Sequence, residues 1–436
     1  MTAVLFALIG TCLGSVLSLI PALHIYNVAG LLLLLALRLE GWLAPDQLAM
    51  LFMGMVVGYA MLNTIPSVFF SVPDDSTIFV VLPAQKYLLQ RRGYEAAVLT
   101  GVGGLGGLFF LVALTPVASR WLPPLRRIIQ PHLGWILLAI ILFMLMSEWP
   151  KGSDRAKTGW GKFLEAWTGL AAGLLTFFLS GILGFALMYR NLVPAEMAFQ
   201  NLLPAFMGLF AVPWLLQNLV GRVQIPQQHI SRAVDLTPGL LLRGVGAGAA
   251  GGLFAAFFPV VTGGIGGFLA GHATAQRDDR LFLVSQGASK VVYYVGGFLL
   301  FFVPGLHLTR GGMAWMVSTM FSAYTPKAYL EAVAAVAVSG ALAFLLLLWF
   351  TRPVARLVAR VDTKWLSAGT LLLLLAIVVG FTGLGGLAVT AVATGIGLIP
   401  VMWGSRRMNC MGVLLLPITL NMIGVGATVA GWLGLV

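Results

Sequence analysis

Long apolar runs separated by short polar breaks dominate this chain. Crossing a bilayer as a helix takes about 20 predominantly apolar residues. Runs approaching or exceeding that length fall at residues 3–21, 26–38, 47–70, 95–118, 133–149, 163–188, 201–220, 239–258, 281–304, 328–350, 366–382, 384–403 and 410–433. Shorter apolar pieces lie at 76–89, 261–272 and 313–321. Several runs are short or interrupted, so the pattern predicts an all-α polytopic membrane protein with about 10–13 membrane segments. No polar stretch is long enough for a soluble domain, and the longest polar loop lies near 150–162. The first run lacks the basic region that precedes a signal peptide's apolar core, so it reads as a membrane segment.

Proline and glycine interrupt the pattern in an ordered way. Gly10, Gly14 and Pro21 in GTCLGSVLSLIP recur as Gly248, Gly252 and Pro259 in GAAGGLFAAFFP, 238 positions on. At the same offset Gly58 meets Gly296 and Pro66 meets Pro304, and one residue later Thr100-Gly101 meets Ser339-Gly340. This register predicts two structural repeats, inverted if an odd number of spans separates them. The expected organisation is a first transmembrane repeat at 1–150, linking spans at 151–237, a second repeat at 238–403 and a C-terminal span at 404–436. Proline removes a backbone donor and clashes with the preceding turn. Freed backbone groups at membrane depth need protein partners or a water-filled cavity. Proline breaks in corresponding positions of two repeats therefore point to a pair of hairpins at a transport site near the bilayer midplane.

Composition agrees with the pattern. Hydrophobic residues make up 59% of the chain and charged residues 9%, against about 25% charged in soluble domains. The formal net charge is +12, which in a soluble protein would raise nucleic acid as a partner. Here the basic residues cluster between apolar runs, as at Arg91-Arg92, Arg126-Arg127, Arg352/Arg356/Arg360 and Arg406-Arg407. Such clusters mark cytoplasmic loops near anionic lipid, so membrane lipids are expected partners and nucleic acid is not. Cys12 and Cys410 show no C-x-x-C or Cys/His spacing, which argues against a disulfide framework or zinc site. Gly101-Val-Gly103-Gly-Leu-Gly106 matches G-x-G-x-x-G but lies within an apolar run with no preceding strand, so it is not a dinucleotide fingerprint. Many of the 53 glycines fit closely packed helix faces instead.

The candidate chemistry gathers around the breaks. Pro21 is followed by His24. Around Pro66 stand Asn63, Ser67, Asp74, Asp75, Ser76 and Thr77, and after Pro259 come Thr262, Gly263, Gly264 and His272. Backbone amides at a half-helix N-terminus, helped by hydroxyls, form an anion site, and the glycines would let a ligand approach the backbone. Lys290 stands in an apolar segment, SQGASKVVYYVGGFLLFF, where an ammonium is either functional or snorkels to water. Asp74 and Asp75 have two compatible readings, coordination of a coupling cation or N-capping of a helix starting at Ser76. His24 and His272 are candidates for proton relay or for a single structural hydrogen bond.

These features resemble the large permease subunit of tripartite tricarboxylate transporters, in a divergent, archaeal-like form. GYAMLNTIPSVFFSVPDDST resembles the family's first-repeat signature, GLFAAFFPVVTGGIGGFLAGHATAQRDDRLFLVSQGASK its second, and TGIGLIPVMWGSRRMNCMGVLLLPITL its C-terminal span pair. The resemblance implies a plasma-membrane permease whose two proline loops hold an organic anion such as a carboxylate. It also implies a small membrane subunit and an extracytoplasmic solute-binding protein as partners. Pro21, Asn63, Pro66, Pro73, Ser76, Pro259 and Gly263 fall on the family's motif positions. The sequence departs from the family at Pro21-Ala-Leu-His24, at Pro73-Asp-Asp-Ser-Thr77 and at Pro259-Val260, where glycine is lost beside both repeat prolines.

The reading is a secondary transporter coupled to H+ or Na+, working by alternating access, without a cofactor or resident metal and able to self-associate. Two competitors remain. A translocase for an anionic lipid carrier such as a polyprenyl phosphate would explain the apolarity of SVFFSVP and AAFFPVV. A membrane enzyme on a lipid-linked substrate would need a convergent acid/base or metal set, and no H-E-x-x-H or D-x-x-D is present.

Overall fold

The computed structural model describes residues 2–20, 23–38, 43–74, 76–150, 158–193, 200–221, 225–321 and 325–436. Among the described residues there are nineteen α-helices and no strand. In chain order they are α1 (Thr2–Leu17), α2 (Ile25–Arg38), α3 (Pro45–Leu62), α4 (Thr64–Phe69), α5 (Val81–Leu89) and α6 (Gly93–Ile129). Next come α7 (Leu133–Met146), α8 (Gly159–Tyr189), α9 (Leu202–Phe206), α10 (Val212–Val220), α11 (Pro238–Phe257), α12 (Gly263–Ala273) and α13 (Asp279–Val291). The last six are α14 (Gly297–Phe302), α15 (Gly311–Ser318), α16 (Pro326–Val358), α17 (Thr363–Trp403), α18 (Gly412–Ile423) and α19 (Gly426–Trp432).

Among the described residues 7 helices are long and apolar enough to cross a membrane, or 8 if a pair bent by 118° near the C-terminus counts as one span. This is fewer than the sequence pattern predicts, because some apolar runs merge and others fragment. The runs at 95–118 and 133–149 join in one 54-residue helical stretch, Gly93–Met146. Those at 366–382 and 384–403 join in α17 across Gly383, whose φ of 65° is non-helical. The run at 3–21 is helical for only 16 residues. The run at 281–304 is divided by a wider π turn, Val292–Gly296.

The chain forms two compact units. One comprises residues 1–126 with 217–374, the other residues 127–196 with 200–216 and 375–436. In the first unit α3 is buried on every side from Leu48 to Leu62, and so is α14. Glycines let their neighbours close in, as expected where lipid gives helices no hydrophobic reason to associate. A Cβ on Gly10 or Gly14 would stand 2.0 and 2.2 Å from the carbonyls of Leu51 and Met55 on α3. On α11, Gly248 and Gly252 meet the carbonyls of Ser285 and Ser289 on α13 at 2.1 and 2.4 Å by the same measure. The α6–α16 contact is reciprocal: Gly101 faces Leu347, and Gly340 faces Leu108. Positions 101 and 340, and likewise 108 and 347, lie 239 residues apart. In the second unit α8 and α18 pack through Gly184 and Gly412, and Glu148 accepts from the Arg406 amide at 2.5 Å and from Asn409 Nδ2 at 3.2 Å.

Candidate functional site

Asn63 closes α3 and opens α4, with its N–H still bonded to Tyr59 O at 2.9 Å. Pro66 falls inside α4, where its missing N–H costs little because first-turn donors lack intrahelical partners. The apolar helix therefore runs on to Phe69 as one 25-residue stretch. Pro304 behaves differently, following the end of α14 at Phe302. After Phe70 the chain reverses through Ser71, in the left-handed region at φ 55°. The returning loop places Asp74 beside the carboxy-terminal turn of α3.

Asp74 accepts hydrogen bonds from six donors. Tyr59 Oη (3.0 Å), Asn63 Nδ2 (2.7 Å) and Tyr294 Oη (3.0 Å) reach Oδ2. The amides of Ser76 (3.0 Å) and Thr77 (2.8 Å) and the Thr77 hydroxyl (2.7 Å) reach Oδ1. This set occupies every acceptor position of the carboxylate. Asp74 thus caps the turn at residues 76–80, and the next helix, α5, begins at Val81 rather than at the expected Ser76. The Ser67 hydroxyl lies within bonding distance of Asn63 O (3.0 Å) and Thr77 Oγ1 (2.9 Å).

Lys290 enters from α13, 2% exposed. Its ammonium donates to Asn63 Oδ1 at 2.6 Å and Thr64 Oγ1 at 3.0 Å. Asn63 therefore bridges a buried cation and an anion, its oxygen toward Lys290 and its NH2 toward Asp74. The two charges fix that orientation, since a flipped amide would aim N–H groups at the ammonium. Tyr294, on the π turn, also contacts His24 Nε2 at 3.3 Å. His24 Nδ1 accepts from the Tyr26 amide at 3.3 Å, so Nε2 carries the hydrogen and a chain runs from His24 through Tyr294 to Asp74.

The second break approaches the same lysine. Thr262 caps α12 by accepting from the Ile265 amide at 3.5 Å, and Ser289 Oγ donates to Gly263 O at 2.8 Å. A Cβ on Gly263 would lie 3.0 Å from both Lys290 Cα and Tyr293 Cβ. Gly266 and Gly267 face the Gly251 backbone and the Gln286 amide. The space at these three glycines is taken up by α11 and α13, where the sequence suggested ligand approach. Between Pro259 and Val261 the backbone turns through Val260 at φ 54°. Arg310 Nη2 donates at 3.0 Å to both Ala255 O and Val261 O, satisfying carbonyls that the break exposes.

The structure thus joins His24, Asn63, Ser67, Asp74, Ser76, Thr77 and Lys290 in one hydrogen-bonded cluster, with Thr262 and Gly263 packed behind the lysine. Gly264 is buried in the same first turn of α12. His272 lies apart, exposed at the other end of α12, about 15 Å along the helix, where its ring bonds back to Phe268 O at 3.0 Å. Pro21 and Asp75 lie outside the described residues. Tyr59, Thr64, Tyr294 and Arg310 were not singled out from the sequence. The signal for the tyrosines was a phenol in an otherwise apolar run, which reads equally well as an interfacial aromatic. On the elements that carry Asp74 and Lys290, neither amide atom of buried Gln286 nor the hydroxyl of buried Ser76 has a partner among the described residues. No group of three or more potential metal ligands occurs among the described residues.

A family model described as "Tripartite tricarboxylate transporter TctA family" matches residues 4–412. An uncharacterized protein of Methanocaldococcus jannaschii is 26% identical over 426 residues, covering 96% of this chain and 98% of the relative. No solved structure matches the chain.

Proposed function

The chain belongs to the tripartite tricarboxylate transporter TctA family, and on that premise we propose that it carries an organic anion such as a carboxylate through the cluster around Lys290. The family is one of permeases, so the chain is a multi-pass cell-membrane transport protein and not an enzyme. One observation carries the assignment to this cluster: the Lys290 ammonium is buried, and its two hydrogen-bond acceptors, Asn63 Oδ1 and Thr64 Oγ1, are both neutral. A buried cation without a direct counter-ion is costly, and an entering carboxylate supplies one. Asn63, Thr64, Ser67, Ser76 and Thr77 orient that carboxylate. Gln286 provides donor and acceptor capacity for the rest of the cargo. Pro259, Thr262, Gly263 and Gly264 shape the second break, and Pro66 stands in the short helix beside Asn63. Pro21 is included from its sequence register with Pro259.

Asp74 is the coupling group in this reading, and a proton suits it better than Na+. Three of its six donors are N–H groups, which cannot ligate a cation, whereas the hydroxyls of Tyr59 and Tyr294 can rotate to accept from a protonated carboxyl. His24 extends the path. Asp75 and His272 are secondary candidates for the coupling ion.

The duplicated glycine pairs and the reciprocal Gly101–Leu347 and Gly340–Leu108 contacts support two repeats, at 1–150 and 238–403, joined by linking spans at 151–237. Rocking of one repeat against the other would give alternating access. A small membrane subunit and a solute-binding protein are the partners that the family suggests. The reading is tested by thermal unfolding of the purified protein across a panel of anions. Di- or tricarboxylates should stabilise the wild type and not K290Q. Equal shifts in both proteins would place the anion elsewhere.

A further inference from the structure

A second cationic site lies away from the proline breaks. A cavity of about 680 Å³ opens between the start of α6, the far half of α16 and the loop at 230–234. On α16, Phe344, Leu348, Arg352 and Arg356 follow one another at four-residue spacing, which sets them along one face of the helix. The stripe is apolar for two turns and cationic for the next two. Val98 completes the floor from α6, and Arg232 adds a third guanidinium from the loop.

The wall formed by the loop is built and not incidental. The Gln228 side chain clamps it to the start of α6, accepting from the Gly93 amide at 2.9 Å and donating to Leu88 O at 3.0 Å. The His229 amide donates to Arg91 O at 2.8 Å, and beyond the cavity Asp235 pairs with Arg280. The acids nearest the cavity are engaged: Glu95 takes two 2.7 Å bonds from Arg92, and Asp235 is held by Arg280. Among the described residues no carboxylate pairs with Arg232, Arg352 or Arg356.

Depth identifies the occupant. Trp349 and Leu345 are 64% and 62% exposed on the outer side of α16, where a lipid-facing helix carries tryptophan at headgroup level. Arg352 begins one turn beyond Leu348. An acyl chain therefore has an apolar floor, and a phosphate has three unneutralised guanidinium groups at the height where headgroups lie. We propose that this cavity binds an anionic phospholipid of the cytoplasmic leaflet, with the phosphate on Arg232, Arg352 and Arg356 and the acyl chains along Phe344, Leu348 and Val98. Basic pockets between membrane helices select anionic lipid in this way, and planar guanidinium groups suit phosphate oxygens.

The test is the thermal unfolding midpoint of the full chain in detergent, titrated with phosphatidylglycerol, phosphatidylcholine or inorganic phosphate. Phosphatidylglycerol should raise the midpoint and the other two should not. R352Q/R356Q should bind phosphatidylglycerol about 25-fold more weakly, at about fivefold per basic group removed. R120Q, on α6 outside the cavity, should keep the wild-type response. If the double variant fails to fold, R232Q on the loop serves instead, with about a fivefold loss. An unchanged response in the cavity variants overturns the site. An equal response to inorganic phosphate overturns the lipid as occupant.

Discussion

At the residue level one side-chain amide, that of Asn63, holds the buried Lys290 ammonium and the half-buried Asp74 carboxylate apart. Replacing it with Ala takes one of two acceptors from the buried Lys290 ammonium, while Asp74 keeps five donors. Unsatisfied buried polar groups cost about 1–3 kcal/mol each, more when charged, so N63A should lower the unfolding midpoint in detergent well beyond an exposed control such as K327A. Substitution of Asp74, the proposed coupling group, tests coupling apart from binding. D74N keeps the side chain's size and removes the ionisable group, setting its NH2 toward the Tyr59 and Tyr294 hydroxyls, which can accept. It should abolish uptake driven by an imposed proton gradient while preserving exchange of labelled for unlabelled substrate. Full gradient-driven uptake by D74N would remove Asp74 from the coupling path.

At the scale of the elements, helix contact through glycine sets what can be changed. A Cβ on Gly54 would stand 1.8 Å from Ala7 O, a backbone atom that can yield only if α1 moves away from α3. Overpacking of this kind typically costs about 1–3 kcal/mol or more, so G54V should elute as aggregate in fluorescence-detected size exclusion while G239A elutes normally. The turn between α12 and α13 makes a different prediction. Hydrogen bonds from the Arg280 side chain, at 2.7 Å from Nη2 and 3.1 Å from Nε, hold the Asp278 carboxyl below its ordinary value of 3.8. A carboxylate with a lowered folded value stabilises the fold above the unfolded value and loses that contribution as pH falls through the folded one. Acid unfolding in detergent should therefore show no loss from this turn above about pH 4, and R280M should shift the onset to higher pH.

Over the whole molecule, the proposed alternating access would require the loop after Asp74 to separate from α12. Phe79 stacks on Phe268 at 5.1 Å between centroids, joining the loop after Asp74 to α12. Cross-linking F79C to F268C, with Cys12 and Cys410 replaced, should arrest transport until a reductant is added. Much of this was legible in the chain. Asn63, Ser67, Asp74, Thr77 and Lys290 stood out as polar groups in grease, and the structure gathers them. The spans were less legible, because an apolar run does not reveal whether its neighbour continues the same helix, as residues 93–146 do. Gly263 was read as room for a ligand, and a Cβ there would meet Lys290 and Tyr293, since glycine serves helix packing and ligand approach alike. Arg310 was invisible because its two carbonyl partners lie 49 and 55 residues away.

In the proposed transport cycle Lys290 supplies the charge that an organic anion needs in order to cross. It is tested most directly by uptake of labelled di- and tricarboxylates into proteoliposomes under an imposed proton gradient, comparing wild type with K290Q. The wild type should accumulate at least one carboxylate. K290Q should lose roughly 100-fold, the scale of a broken buried charge contact. Wild-type uptake by well-folded K290Q would contradict it.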